Sequence, residues 1–412
     1  MTSLSLTLWI VLAVALQLAV WLGYSFWQHW LAHQALHRQA LGLQLPEAVP
    51  APDQTAPPPA WPGLRPFRVQ RKVMEDEANS VCSFYLVAED GQALPPFLPG
   101  QYLTFHLDAG AEAAAPLIRC YSLSDSPRPD HYRVSIKRVP GADGHPPGRS
   151  SCFFHDHVQP GSLLQVRAPS GHFFLDRRDE PVVLIGGGIG ITPMLSMLEW
   201  CLTEQPGREV WLFYGVRNGR EMVMASRLAE LAAAHPGLRL WRCFSDPRPE
   251  DVAGRDYEHR GRVDIPLLRL HLSLKPHQFY LCGPGAMMEC LVAGLADWGV
   301  ADERVHFEAF GPASVRRPAV QAVAGEAVVV RVNFARSGKQ LLWQPGAGSL
   351  LEFAEANGIG VDSGCRAGGC GACQTVIADG EVSYEQKPDY DPEPGSCLLC
   401  VCTPKTDLIL EA

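Results

Sequence analysis

The hydrophobic pattern changes character at Pro181, and one type of sheet cannot satisfy both sides of the change. Before it, residues 65–178 carry short apolar stretches (SFYLVA, YLTFHL, YRVSIKRV, SLLQVRAP) with polar residues interleaved and Gly, Pro and Asp between them. Successive side chains of a strand point to opposite faces, so this texture predicts a small antiparallel barrel or sandwich. Past it, PVVLIGGG, EVWLFYG and QFYLCGP are unbroken apolar runs, which suit strands buried on both faces of a parallel sheet. The helical stretches TPMLSMLEWCL and AMMECLVAGLADWG alternate with them and predict an α/β doubly wound domain over residues 179–312. With 412 residues the chain is long enough for several such cores.

Residues 4–27 contain no charged side chain, and about 20 apolar residues suffice to cross a bilayer. The first basic residues, Arg38, Arg65, Arg68, Arg71 and Lys72, all follow this run. By the positive-inside rule the reading is a single-pass transmembrane anchor in the cell inner membrane, with the catalytic domains cytoplasmic. The anchor and a juxtamembrane helix occupy residues 1–45. His29, His33 and His37 share one face of that helix, a spacing that suits either a metal or haem site or a solvated surface. Pro46 ends the helix, and residues 46–64 form a Pro/Ala-rich, semi-rigid linker. A second linker covers residues 313–325. The net charge of −9 argues against a nucleic-acid partner.

Two motifs carry chemistry. IGGGIGITP follows the first unbroken apolar run directly, giving G-x-G-x-T-P with Gly188, Gly190, Thr192 and Pro193. Glycines at a strand-to-helix turn let the backbone approach a pyrophosphate, whose charge the helix N-terminus stabilises. Further on, Cys365, Cys370 and Cys373 have C-x4-C-x2-C spacing within a loop of glycines and alanines. That is the plant-type spacing for a [2Fe–2S] cluster, and small neighbours leave backbone amides free to turn toward the sulfurs. The fourth thiolate comes from a later segment, and on spacing alone Cys397, Cys400 and Cys402 all qualify.

The ordered set RCYSLSD, YRVSIKR, GRSSCFFHDHV, APSGHFFL, IGGGIGITPMLSML, YGVRN, CGPGAMM and HFEAFG resembles the ferredoxin–NADP reductase superfamily, especially the reductase part of flavohaemoglobins. The resemblance runs from about Phe67 to Gly311. It implies an FAD-binding barrel in which Arg119 pairs with flavin phosphate, Tyr121 faces the isoalloxazine and Ser122 bonds the reactive flavin nitrogen. It also implies that Ile136 and Lys137 lie along the flavin and that Gly148 and Ser151 form the diphosphate turn. Gly188, Gly190, Thr192 and Pro193 then serve the nucleotide. Cys282, Gly283 and Pro284 close the nicotinamide site, with Glu308 and Phe310 beside the flavin ring. Cys120, Cys201, Cys243 and Cys290 read as buried fillers.

Residues 326–412 resemble a plant-type ferredoxin domain, which implies an α+β β-grasp fold. In ferredoxin domains of oxygenase reductases the last ligand follows an apolar pair and precedes a proline by four residues. Cys400, after Leu398 and Leu399 and before Pro404, matches that arrangement. If the segment is extended, Cys402 points to the same face about 7 Å along as a bystander, and Cys397 to the other. The expected metal ligands are therefore Cys365, Cys370, Cys373 and Cys400.

The resulting expectation is a membrane-anchored, multidomain NAD(P)H reductase. Electrons pass from NADH or NADPH through FAD to the [2Fe–2S] cluster, and on to a redox partner such as an oxygenase, desaturase or hybrid-cluster protein. Ser122, Cys282 and Glu308 are the expected catalytic residues. A reductase of soluble acceptors such as quinone or ferric chelates, and a non-catalytic redox sensor, are the alternatives. Arg217 and Arg220 suit a 2′-phosphate whereas Glu221 suits a ribose hydroxyl, and resemblance to NADH-using oxygenase reductases tilts the choice to NADH.

Overall fold

The computed structural model describes residues 17, 21, 60–108, 117–141, 146–310, 329–364, 366, 368–384, 388 and 390–412. The chain divides into two compact units, Met1–Thr55 and Ala56–Ala412. In the first, only Gln17 and Trp21 are described, both helical. The rest of the expected span and His29, His33 and His37 lie outside the described residues, as does the expected linker 313–325. Among the described residues no helix is long and apolar enough to cross a membrane.

The second unit begins with a barrel. Its six strands are β1 (Arg65–Met74), β2 (Val81–Ala88), β3 (Tyr102–Leu107), β4 (Leu117–Ser122), β5 (Tyr132–Lys137) and β6 (Leu163–Ser170). They run antiparallel in the order β4-β3-β6-β1-β2-β5. A bridge between Leu123 and Val134 brings the two ends of that order together. Helix α1 (Arg149–His157) supplies Phe154, fully buried, whose ring lies 5.2 Å from both Phe84 and Phe105 and 5.3 Å from Tyr121. That wedge fixes the tyrosine from inside. Trp61, counted in the first linker on composition, packs on the barrel: its Nε1 donates to the Val166 carbonyl at 3.3 Å and its ring lies 5.7 Å from Phe67.

The next sheet is parallel. It contains β7 (Val182–Gly187), β8 (Val210–Val216), β9 (Leu238–Phe244), β10 (His259–Arg260), β11 (Gln278–Gly283) and β12 (Val305–Ala309). Their order is β10-β9-β8-β7-β11-β12. Every residue of β7 and β11 is buried, as the unbroken apolar runs require. The chain leaves β7 in one direction through β8, β9 and β10, then returns to its other side as β11. The crevice at that reversal is where open α/β sheets bind ligands. Helix α2 (Ile191–Glu204) starts there, immediately after the glycine loop.

The C-terminal part is a five-stranded mixed sheet with α3 (Leu350–Ala356) packed into its core. Its strands, in sheet order, are Lys339–Trp343, Val330–Phe334, Leu408–Leu410, Gln374–Asp379 and Ser396–Leu398. A capping box between Ser349 and Glu352 sets the start of the helix.

Candidate functional site

A cavity of about 480 Å³ opens where the barrel, the nicotinamide-side sheet and the cysteine loop meet. Arg119, Tyr121 and Ser122 enter from β4, and Ile136 and Lys137 from β5. Thr192 enters from α2, with Glu308 and Phe310 from the end of β12. The Tyr121 hydroxyl hydrogen bonds Ser150 Oγ at 2.8 Å, and burial pushes its phenol up to about 12, so it stays neutral. Ser122 Oγ donates to Glu308 Oε2 at 3.5 Å. Phe310 is 40% exposed, an aromatic ring left at the rim.

Gly148 and Ser151 stand beside this cavity rather than in its lining. The Ser151 hydroxyl donates to the Gly148 carbonyl at 3.1 Å and accepts from Val139 N at 3.2 Å. The N-terminus of α1 has no side-chain cap, so its first amides remain available to an anion.

Behind the cavity two backbones cross. A methyl group at Gly190 would sit 2.1 Å from the Cys282 carbonyl oxygen and 2.7 Å from Gly283 N. One at Gly283 would meet Met287 at 2.4 Å. Gly190 therefore needs glycine for contact with backbone, Gly283 meets the movable end of a side chain, and Gly188, at φ +53°, needs glycine for conformation. Thr192 Oγ1 donates to the Ile189 carbonyl at 3.0 Å and tightens the turn, and Pro193 is buried within α2. Pro284 caps the helix Gly285–Asp297. Cys282 is fully buried and pairs in register with Glu308. Burial first, then the Glu308 charge, raises its thiol well above the ordinary range, so it sits there as a neutral S–H.

The cysteine loop forms the opposite wall. Ser363, Gly364 and Arg366 line the same cavity as Tyr121 and Ser122. Arg119 Nη1 donates to the Ser363 carbonyl at 3.3 Å. Arg366 has a left-handed backbone, φ 56°, a conformation costing a non-glycine residue about 1 kcal/mol, and its guanidinium pairs with Glu355. Gly369 packs on Tyr102 and Gly371 on the Tyr390 ring, while Arg167 lies over that ring at 5.0 Å.

Cys365 lies outside the described residues. Cys373 Sγ and Cys400 Sγ are 3.1 Å apart, and Ala372 N donates to Cys370 Sγ at 3.4 Å. No group of three metal-ligating side chains converges among the described residues. The donor set suits an iron–sulfur cluster: three thiols among small residues, one with an amide turned to its sulfur. The extended geometry expected for residues 397–402 does not hold. Val401 N bonds the Leu398 carbonyl at 3.2 Å, so the chain turns between Ser396–Leu398 and Cys402–Pro404. Cys397 and Cys402 thereby face the core, where they hydrogen bond each other. Of the four expected fillers, Cys201 and Cys243 are buried, Cys290 is exposed, and Cys120 is half-buried on the cavity wall.

Arg217 and Glu221 form an ion pair at the end of β8. Asp251 accepts from Gly219 N at 3.3 Å, adding an acid beside the same turn. Tyr102, Ser363 and Arg366 are cavity residues that motif reading passed over, and Cys120 is one it read as a filler. Ser363 and Arg366 flank the first cysteine, which was the available signal.

Comparison with known proteins agrees with this anatomy. Residues 184–293 match the oxidoreductase NAD-binding domain family, and residues 332–405 the 2Fe-2S iron-sulfur cluster binding domain family. The flavohaem-like FAD/NAD-binding domain of nitric oxide dioxygenase from Vibrio cholerae is 34% identical at a TM-score of 0.53, over 61% of this chain and 100% of that one. The chain therefore belongs to the oxidoreductase family built on that FAD/NAD-binding module. Phthalate dioxygenase reductase, described as a modular structure for electron transfer from pyridine nucleotides to [2Fe-2S], is 27% identical with a TM-score of 0.50. It covers 85% of this chain and 98% of its own. A flavohemoprotein of Chromobacterium violaceum is 41% identical over 63% of this chain, which spans 63% of that relative's length. FAD, a nicotinamide nucleotide and a [2Fe–2S] cluster are accordingly the cofactors of this oxidoreductase.

Proposed function

We propose that the protein is a membrane-anchored NADH reductase that feeds single electrons to a protein acceptor of the oxygenase, desaturase or hybrid-cluster type. One observation carries the reading: the cysteine loop at Ser363–Arg366 and the expected flavin residues Tyr121 and Ser122 wall one cavity. FAD held there by Arg119, Tyr121 and Ser122 would supply the exchange between two-electron hydride chemistry and single-electron transfer. The protein's part is placement. Arg119, a planar fork, takes a flavin phosphate in place of the Ser363 carbonyl. Tyr121, held by Phe154 and Ser150, offers a fixed aromatic face. Ser122 holds its hydroxyl between the flavin and Glu308, and Gly190 and Cys282 set how closely the nicotinamide approaches. Cys365, Cys370, Cys373 and Cys400 hold the cluster; the short Cys373–Cys400 separation supports the fourth.

NADH is favoured because Arg217 is already paired with Glu221 and Asp251 adds an acid beside the same turn, which leaves Arg220 alone of the two arginines for a 2′-phosphate. The anchor rests on the uncharged residues 4–27, and the cytoplasmic side on the basic residues that follow. Two measurements test the proposal. Full-length protein should stay with inner membranes after a high-salt wash, and recovery in the soluble fraction overturns the anchor. A protein acceptor co-purified from solubilised membranes should accelerate NADH oxidation. Equal rates with quinone or ferric chelate alone would favour the soluble-acceptor reading.

A further inference from the structure

Glu199 is an acid in the middle of α2, a helix otherwise packed into the core, and it is 3% exposed. It lies seven residues, two turns or about 10 Å, beyond Thr192 on the same helical face. Opposite it, from the barrel, is Asp125, three residues past Ser122 and 6% exposed. The pair thus joins the strand under the flavin to the helix that begins at the nucleotide turn.

The hydrogen bonds are unequal. Asp125 Oδ1 accepts from Ser126 N at 2.8 Å and Arg128 Nε at 3.2 Å. Asp125 Oδ2 faces His131 Nε2 at 3.3 Å and Arg133 Nη1 at 3.8 Å. Glu199 Oε1 accepts from Arg227 Nε at 2.8 Å. Its other oxygen, Oε2, is buried without an N–H or O–H donor. The carboxyl facing it is that of Asp125, close enough for each to perturb the other. Two buried carboxyls side by side repel unless one carries a proton, which then bonds the other. Asp125 has the donors and the buried Arg133, so the proton belongs on Glu199 Oε2. Burial, then the Asp125 contact, pushes the Glu199 pKa up; burial also acts upward on Asp125, but His131, the Glu199 contact, Arg133 and Arg128 together pull it down. Glu230 beside Arg227, Asp130 beside His131, and Tyr85 against the His131 ring and under Arg133 are the further charged and titratable groups around the pair.

We propose that Glu199 is a positioning residue whose proton, shared with Asp125 across the seam between barrel and nicotinamide domain, holds the nucleotide turn in register with the flavin strand. Losing the proton sets two buried carboxylates against each other and loosens that register, so hydride transfer slows as pH rises. The proposal rests on the nicotinamide-to-flavin step itself. Whether NADH bleaches the flavin at all tests that step, and the pH dependence of the rate tests the latch.

The experiment is anaerobic stopped-flow bleaching of the flavin by NADH, from mildly acidic to alkaline pH, on FAD-loaded full-length protein. Wild type should show an alkaline fall. Glu199→Gln, whose amide donates to Asp125 and whose carbonyl accepts from Arg227, should match wild type at low pH and stay flat. Glu199→Ala should be about tenfold slower at every pH. His131→Gln should keep the alkaline fall, which assigns it to the carboxyl pair. An unchanged alkaline fall in Glu199→Gln, or its disappearance in His131→Gln alone, would overturn the proposal.

Discussion

The two walls of the cavity proposed for the flavin are built to different tolerances. On the nicotinamide side, the backbones of Gly190 and Cys282 approach too closely for a methyl group to fit between them. On the cluster side, a glycine-rich loop touches the barrel through a carbonyl at Ser363, the Tyr102 hydroxyl and a cation over Tyr390. The contrast follows the chemistry. Hydride transfer needs the reacting atoms at about 3–3.5 Å in a fixed orientation. Single-electron transfer makes no bond, so the cluster wall can be held by flexible side chains.

The largest effect should come from the cluster wall itself. Cys400→Ser should abolish or severely alter the paramagnetic signal of the reduced cluster while flavin content persists. Cys397→Ser and Cys402→Ser should keep the signal, because their thiols face each other in the core, whereas Cys400 is the late cysteine whose sulfur meets Cys373. The reverse pattern in the Cys400 and Cys402 variants would reassign the ligand.

Gly190→Ala should come next. Its new methyl meets backbone rather than a movable side chain, so the crossing must widen. A shift near 1 Å costs about 100-fold in hydride transfer, read as flavin bleaching by NADH, with cluster content unchanged. Gly369→Ala probes the other wall. Its methyl meets the Tyr102 hydroxyl at 2.2 Å, the end of a side chain that can swing. Cluster reduction should slow about tenfold or less, with flavin bleaching unaffected. If both glycine variants slowed the same step equally, the difference in tolerance would fail.

How much of this was legible follows from how local each feature is. Burial of β7 and β11 was written in unbroken apolar runs, and the glycine crossing in a short motif. The turn at residues 399–401 was not, because Leu-Leu-Cys-Val reads as strand unless one knows that the segments on either side of it pair with different partners. Ser363 and Arg366 became cavity residues only through docking of one domain on another, which no periodicity encodes. Glu199 reads as one polar residue in an apolar helix until Asp125 is seen opposite it.

The smallest effect concerns stability. Hydrogen bonding to Asp125 raises the His131 pKa, so its contribution is full below its ordinary value near 6.5 and fades as pH rises through the higher folded value. Glu199 acts in the same direction, because the fold favours its protonated form. Asp125 acts oppositely: its stabilisation is present above the ordinary carboxylate range and is lost only in strong acid. His106, His271 and His277, whose pKa values burial lowers, act oppositely to His131 in the same window, so the test is the difference between variants. Relative to wild type, His131→Gln should lose on the order of 2 °C of melting temperature at mildly acidic pH and less at alkaline pH, and a larger loss at alkaline pH would contradict the sign given to His131.

The central claim is that electrons cross one shared cavity in sequence, nucleotide to flavin to cluster. It is tested most directly by mixing the full-length protein with NADH anaerobically and following flavin absorbance and the reduced-cluster signal in rapid-freeze samples. Flavin bleaching should precede the cluster signal, and removal of FAD should abolish both. A cluster reduced by NADH without FAD, or left oxidised after the flavin is fully reduced, would contradict it.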